Sequence, residues 1–138
     1  MTKHPPIQAH LKEAPYPFQD HLGFEVTHWA RDYARLEQGL KPFLANRGGV
    51  PHGGVYATLL DTAMGFAGCY TDDPKDRVLA LTLTLNTSFL SRPKGIVLIA
   101  EGWKTGGGRR TYFAESVLHD ETGEKIASAS GAFLYRSA

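Results

Sequence analysis

The sequence predicts an α+β domain in which five or six antiparallel strands wrap one long helix. Two observations carry that reading. Residues 53–70 hold apolar side chains at helical spacing over several turns. Beyond them, strand-like segments run almost to the end of the chain, separated by turns short enough to be hairpins.

Taken in order, residues 1–16 are polar, carry Pro5, Pro6 and Pro15, and read as a loose arm or a short helix. Residues 17–138 read as a single domain, beginning with a helical turn at 18–22 before Gly23. Two short strands, 24–29 and 33–40, are expected around a polar turn at 30–32. Residues 41–51 are too rich in glycine and proline for a regular element. In the helix, Val55, Tyr56, Leu59, Leu60, Ala63, Met64, Phe66 and Ala67 cover most of the circumference, which predicts burial nearly all round. The remaining stripe is Gly54, Ala57, Asp61, Gly65 and Gly68. Glycine within a helix costs roughly 0.5–1 kcal/mol relative to alanine, so a sheet, another helix or a ligand should approach the backbone there. After an acidic loop at 71–76, residues 78–90 alternate Leu79, Leu81, Leu83 and Leu85 with Ala80, Thr82, Thr84 and Asn86. Strands at 96–104, 110–119 and 125–135 complete the chain.

Composition sets bounds on function. A chain of 138 residues supports one core, and 42% hydrophobic with 21% charged residues suits a soluble globular protein. A net charge of +1 gives neither the basic field that attracts nucleic acid nor an acidic tail. Cys69, the single cysteine, excludes an intrachain disulfide and fits a reducing compartment. The first residues lack the apolar run of a signal peptide, and no stretch approaches the ~18 apolar residues of a membrane helix. The expectation is a cytoplasmic protein with no nucleic-acid or membrane partner. The six histidines show no metal-ligand spacing, and no serine sits in a G-x-S-x-G elbow.

The segment from Asn46 to Gly65 carries the chemistry. It puts His52-Gly53-Gly54 at a helix N-terminus, where the first N–H groups lack intrahelical partners and the dipole favours negative charge. Glycine there lets a ligand carbonyl approach the free N–H, which makes an oxyanion site from main chain alone. Asp61 follows two turns later in an otherwise apolar helix, and a buried carboxylate is costly unless paired or used. It is a candidate base or nucleophile. The plainer reading, that Asp61 only bonds a neighbouring group, loses once His52-Gly53-Gly54 is set beside it. Eight residues of helix separate Gly53 from Asp61 by ~12 Å at ~1.5 Å per residue. One carbonyl cannot sit within ~3 Å of both. If both act on one substrate they come from different subunits, and the site needs at least a dimer.

Asn46, His52-Gly53-Gly54, Asp61 and Gly65, followed by Asn86-Thr-Ser-Phe89-Leu90-Ser-Arg92-Pro93, resemble the PaaI-like (phenylacetate-pathway type) thioesterases of the hotdog superfamily. The resemblance covers residues 20–135. It implies a hotdog fold and hydrolysis of an acyl-CoA, aryl or fatty, with no cofactor, since CoA is part of the substrate. The Gly53 N–H would polarise the thioester carbonyl, with Asn46 assisting. Asp61 of the partner subunit would attack it or activate water. Thr82 falls where the family often places a Ser or Thr that positions the water or carboxylate, although a plain surface strand predicts the same threonine. His52 belongs to the motif and reads as a residue that fixes the turn.

For the CoA end, Arg92, Lys94, Arg109 and Arg110 lie in or beside turns, and Gly106-Gly107-Gly108 frees backbone N–H groups. Physics alone reads that loop as a flexible hairpin with solvated arginines; the resemblance moves Gly107, Gly108, Arg109 and Arg110 towards CoA contact. Phe18, Phe24, Tyr56, Phe66 and Phe89 are candidates for an acyl pocket or for plain core. A hotdog domain that binds acyl-CoA without turnover is the alternative, but it would not need Asp61. A hydratase would need a different His/acid arrangement. Exposed sheet edges and the shared site imply a dimer, and the resemblance implies a homotetramer built as a dimer of dimers.

Overall fold

A computed structural model describes residues 3–136. Its long helix, α2 (Gly53–Ala67), starts where His52 leaves the extended conformation. The His52 Nδ1 accepts the Gly54 N–H at 2.8 Å and satisfies one of the orphan donors of the first turn. The helix stops three residues before the sequence pattern suggested. Gly68 caps it, and the Tyr112 ring occupies the space a side chain at Gly68 would need.

Around α2 curls one sheet of six strands: β1 (Glu25–Ala30), β2 (Tyr33–Gly39), β3 (Leu79–Phe89), β4 (Val97–Gly107), β5 (Thr111–Asp120) and β6 (Lys125–Arg136). Their spatial order is β1-β2-β4-β5-β6-β3, with every pair antiparallel. Leu59, Leu60, Ala63 and Met64 of α2 meet Leu36, Leu98, Ala100, Tyr112, Leu118 and Phe133 in one core. Gly102 of β4 allows this close approach, because a Cβ there would run into the backbone of Ala63 and Met64. The burial is not all round: Ala57, Thr58, Asp61, Thr62 and Gly65 form a half-buried strip on the helix.

Strand β3 departs from the sequence pattern in an informative way. Strict alternation would place the leucines on the core face and Thr82 outside. Instead Thr82 reaches α2, while Leu81 and Leu83 are 49% and 54% exposed. A bulge between Thr82 and Thr84 resolves the parity. Beyond it Phe89, seven residues on, also meets α2, packing on Tyr56 and over Gly53. Both residues face inward only because one extra residue is inserted between them. β3 is also an edge strand, with β6 as its one partner.

The remaining segments close the ends. A helical turn, α1 (Pro17–Leu22), is tied to the sheet by Gln38, fully buried, which donates to the Leu22 carbonyl at 2.9 Å. The N-terminal arm lies along β1: the Ile7 N–H bonds the Thr27 carbonyl at 2.9 Å, and Leu11, in the 3-10 turn Ala9–Leu11, is buried. Among the described residues no helix is long and apolar enough to cross a membrane.

Candidate active site

Asp61 stands in the half-buried strip of α2, and its Oδ1 accepts the Thr82 hydroxyl at 2.8 Å. Burial raises its pKa above the ordinary aspartate value, and the Thr82 hydrogen bond partly offsets that. A carboxylate less comfortable as an anion than one in water is a better proton acceptor. It opens onto a cavity of about 250 Å³ whose walls include Trp29, Gly65, Phe66, Cys69 and Phe133. Of the aromatic candidates for an acyl pocket, Phe66 alone borders this cavity. Phe24 and Tyr56 are core, Phe18 is exposed, and Phe89 covers Gly53.

At the start of α2 the first-turn donors divide. The Gly54 N–H goes to His52 Nδ1 and the Val55 N–H to the His52 carbonyl. The Gly53 N–H has no acceptor among the described residues. A glycine fits there for a second reason, since a Cβ would press on the Phe89 ring. His52 therefore shapes the turn, and the one unspent donor is the one the oxyanion argument requires. Asn46 holds the preceding loop: its Oδ1 accepts from Gly48 at 2.8 Å and Val50 at 3.3 Å, leaving the amide NH2 for another partner. Gly53 and Asp61 sit on one helix two turns apart, as the spacing required.

The cationic candidates separate into two groups. Arg92 and Lys94 lie in the loop that follows β3, whose last residue packs on Gly53, so they belong to the N-terminal end of α2. Asp120 organises that loop. Only 1% exposed, it accepts the Lys94 and Gly95 N–H groups at 2.7 and 2.8 Å, and Thr122 and Glu124 from the other side. Burial alone would push its pKa up, but these hydrogen bonds hold the carboxyl well below the usual range. The Lys94 ammonium rests on Glu124 at 2.9 Å. Gly107, Gly108, Arg109 and Arg110 lie at the opposite end, where the Tyr135 hydroxyl donates to the Gly68 carbonyl and the Tyr135 N–H donates to the Arg110 carbonyl. Gly106 and Gly107 are part of β4, and Gly107 (φ +130°) lies so close to Tyr112 that the hairpin by itself demands a glycine. Within one protomer the two groups thus lie at opposite ends of α2 and of β4.

Sequence reasoning missed the residues that close the cavity. Glu13, Tyr16 and Arg77 border it, and Arg77 pairs with Glu13 at 3.2 Å. Burial raises the Tyr16 pKa; a contact with Thr62 opposes this and the Asp61 charge adds to it, which places the phenol beside the carboxylate. Nothing in the arm's composition signals this, since the partners Asp61, Thr62 and Arg77 lie far along the chain. Cys69 is buried and its thiol is pushed up to about 11, so it is a packing residue and not a nucleophile.

Comparison with known proteins adds a separate line of support. The profile of the thioesterase superfamily matches residues 48–127. A Pseudomonas aeruginosa protein described as a candidate esterase, PA0474, is 35% identical over 89 residues, covering 64% of each chain. The match thus spans a little under two thirds of that relative's length. The medium/long-chain acyl-CoA thioesterase YigI of Escherichia coli is 25% identical over 131 residues, covering 86% of this chain and 84% of its own. Among solved structures, the conserved protein PA5202 of Pseudomonas aeruginosa superposes with a TM-score of 0.80 at 21% identity, over 88% of this chain and 94% of that one.

Proposed function

Since this chain belongs to the thioesterase superfamily and has its hotdog fold, we propose that it hydrolyses an acyl-CoA thioester to the free acid and CoA at a site shared by two copies. The observation that carries the reading is the Asp61 carboxylate, held by Thr82 at 2.8 Å, at the edge of an apolar cavity. An exposed carboxylate would be an ordinary surface group; this one is partly desolvated and oriented. YigI, a relative by sequence, is itself named for acyl-CoA hydrolysis.

Asp61 acts on the carbonyl by one of two balanced routes. As a base it takes a proton from water while the oxygen adds to the thioester carbon. As a nucleophile it adds directly, and water then cleaves the resulting anhydride. In both, the developing oxyanion is stabilised by the Gly53 N–H of the partner copy, with the Asn46 amide close to it in the same loop-to-helix turn. The carbon–sulfur bond then breaks and CoA leaves as a thiolate that regains a proton. Thr82 keeps the carboxylate aimed. The phosphates of CoA meet Arg92 and Lys94 from one copy and the Gly107–Gly108–Arg109–Arg110 turn from the other, because pairing of two copies is what brings those opposite ends to one substrate.

The pairing surface is β3. It is an eleven-residue edge strand with Leu81, Leu83, Leu85 and Phe89 at least one-third exposed. A long apolar edge left open invites aggregation, and a second β3 across a two-fold closes it. The homotetramer is a pairing of such dimers, and the setting is the reducing cytoplasm. The test is thiol release from aryl-CoA and fatty acyl-CoA esters by the wild type and Asp61→Asn. The reading predicts turnover that falls by about 10²–10⁴-fold in the variant. Absence of turnover across the panel would sink it.

A further inference from the structure

The cavity beside Asp61 has a shape that bears on which acyl groups are turned over. It follows α2 from Asp61 past Gly65 to the helix end at Ala67, a length of ~9 Å, and Cys69 just beyond the helix borders it as well. Its walls are mostly apolar, from Trp29, Phe66, Leu79, Ala80 and Phe133. Gly65 is unlike the other helix glycines. A Cβ at Gly54 or Gly68 would meet a ring at once, whereas at Gly65 nothing lies within 4 Å. No packing within the protomer therefore accounts for the missing side chain, and the space it leaves belongs to the cavity.

The mouth is bordered by the N-terminal arm. Residues 12–15 are exposed and cross between two fixed points, the buried Leu11 and the start of α1 at Pro17. Glu13 borders the cavity and pairs at 3.2 Å with Arg77, which borders it from the segment before β3, with both side chains partly in solvent. Exposed pairs of this kind are weak, which suits a clasp that opens more than a permanent seal.

We propose that this cavity receives the acyl chain of the substrate, that Gly65 is the residue setting its capacity, and that the Glu13–Arg77 clasp closes the strap over it. The volume names the class. A methylene occupies about as much room as a water molecule, roughly 30 Å³, so about 250 Å³ accommodates a saturated chain of on the order of eight carbons. The substrate is a medium-chain acyl thioester. This rests on the thioesterase reading above, and the following test separates the two.

The experiment is a series of saturated acyl-CoA esters from acetyl to palmitoyl, assayed by thiol release with wild type, Gly65→Leu and Glu13→Gln. The wild type should peak near octanoyl. Leucine at position 65 fills the space of several methylenes, so the octanoyl-to-butanoyl ratio of kcat/KM should fall about tenfold or more. Glu13→Gln keeps the shape of the strap and removes its ion pair, so the ratio of dodecanoyl to octanoyl should rise. Hydrolysis with a chain-length profile that Gly65→Leu leaves in place would overturn the proposal while the thioesterase reading stands. A second readout does not depend on turnover. Trp29 lines the cavity, so octanoyl-CoA added to Asp61→Asn in a Trp103→Phe background should change the Trp29 emission, and Gly65→Leu should suppress that change. No response from Trp29 would place the acyl chain elsewhere. A response without hydrolysis in the wild type would retain the cavity assignment and defeat the thioesterase reading instead.

Discussion

Asp61 and Thr82 show how one hydrogen bond sets the chemistry of a partly buried acid. Because burial raises the Asp61 pKa, its ionised form is less favourable in the folded chain than in the unfolded one. The contribution of Asp61 to stability is therefore most favourable below the ordinary aspartate value of 3.8 and declines as pH rises through the higher folded pKa. Asp61→Asn, which keeps an acceptor for Thr82, should raise Tm near neutral pH and lose that advantage in acid. Thermal melts at several pH values would show this, and an unchanged or lower Tm near neutrality would argue against a desolvated carboxylate. The Thr82 hydrogen bond lowers the same pKa, so Thr82→Val should move the acid limb of the kcat/KM profile to higher pH. A limb that stays put would mean Thr82 does not act through Asp61. At this scale much was legible in the sequence. An acid in an apolar helix and a His-Gly-Gly before it are local patterns, and Gly53 and His52 divide the first-turn donors as such a pattern suggests. The arm residues Glu13 and Tyr16 were not legible, because their roles depend on Arg77 and Thr62, far away in the chain.

Elements were readable where their periodicity was unbroken and misleading where it was not. The long helix and all six strands lie within a few residues of the positions that alternation and turn residues indicate. The leucine alternation of β3 pointed to the wrong inner face: Leu81 is exposed and Thr82 meets α2 already before the bulge, and the bulge that turns Phe89 inward has no glycine to mark it. The glycines after Lys104 looked like a free loop, whereas two of them continue β4 against Tyr112 and Phe113. Asp120 gave no signal at all: an acidic residue before Glu121-Thr122-Gly123 looks like a turn, yet it anchors two turns at once. Its low pKa contributes stability above the ordinary carboxylate range, and that contribution is lost only as pH falls through the depressed folded value. Asp120→Ala leaves several partly buried N–H groups without their acceptor and should cost on the order of 3 kcal/mol, read from urea midpoints near neutral pH. A loss well under 1 kcal/mol would mean water replaces the carboxylate at no penalty.

For the whole molecule, the half-buried strip of α2 and the open edge of β3 lie on a protomer whose machinery is divided. The donor at Gly53 and the acid at Asp61 sit two helical turns apart, and the cations proposed for CoA occupy opposite ends. Pairing across β3 would answer both facts. Leu83→Lys, which puts a charge on the exposed edge, should yield monomers by sedimentation, with activity lost in proportion. Monomers that retain full activity would refute a shared site. The most direct test of that shared site is complementation between two inactive variants, Asp61→Asn and Gly53→Pro, the second removing the donor at a helix position where proline is tolerated. The new Cβ also presses on the Phe89 ring, which must shift by a few tenths of an ångström, so folding of Gly53→Pro is checked first by its Tm. Co-expressed in equal amounts, the two variants should form mixed dimers in which one composite site carries both lesions and the other carries none. Random pairing across a two-fold then restores about a quarter of wild-type thiol release. Recovery near that level is the predicted result; a mixture as inactive as its two components would contradict a thioesterase site built from both copies.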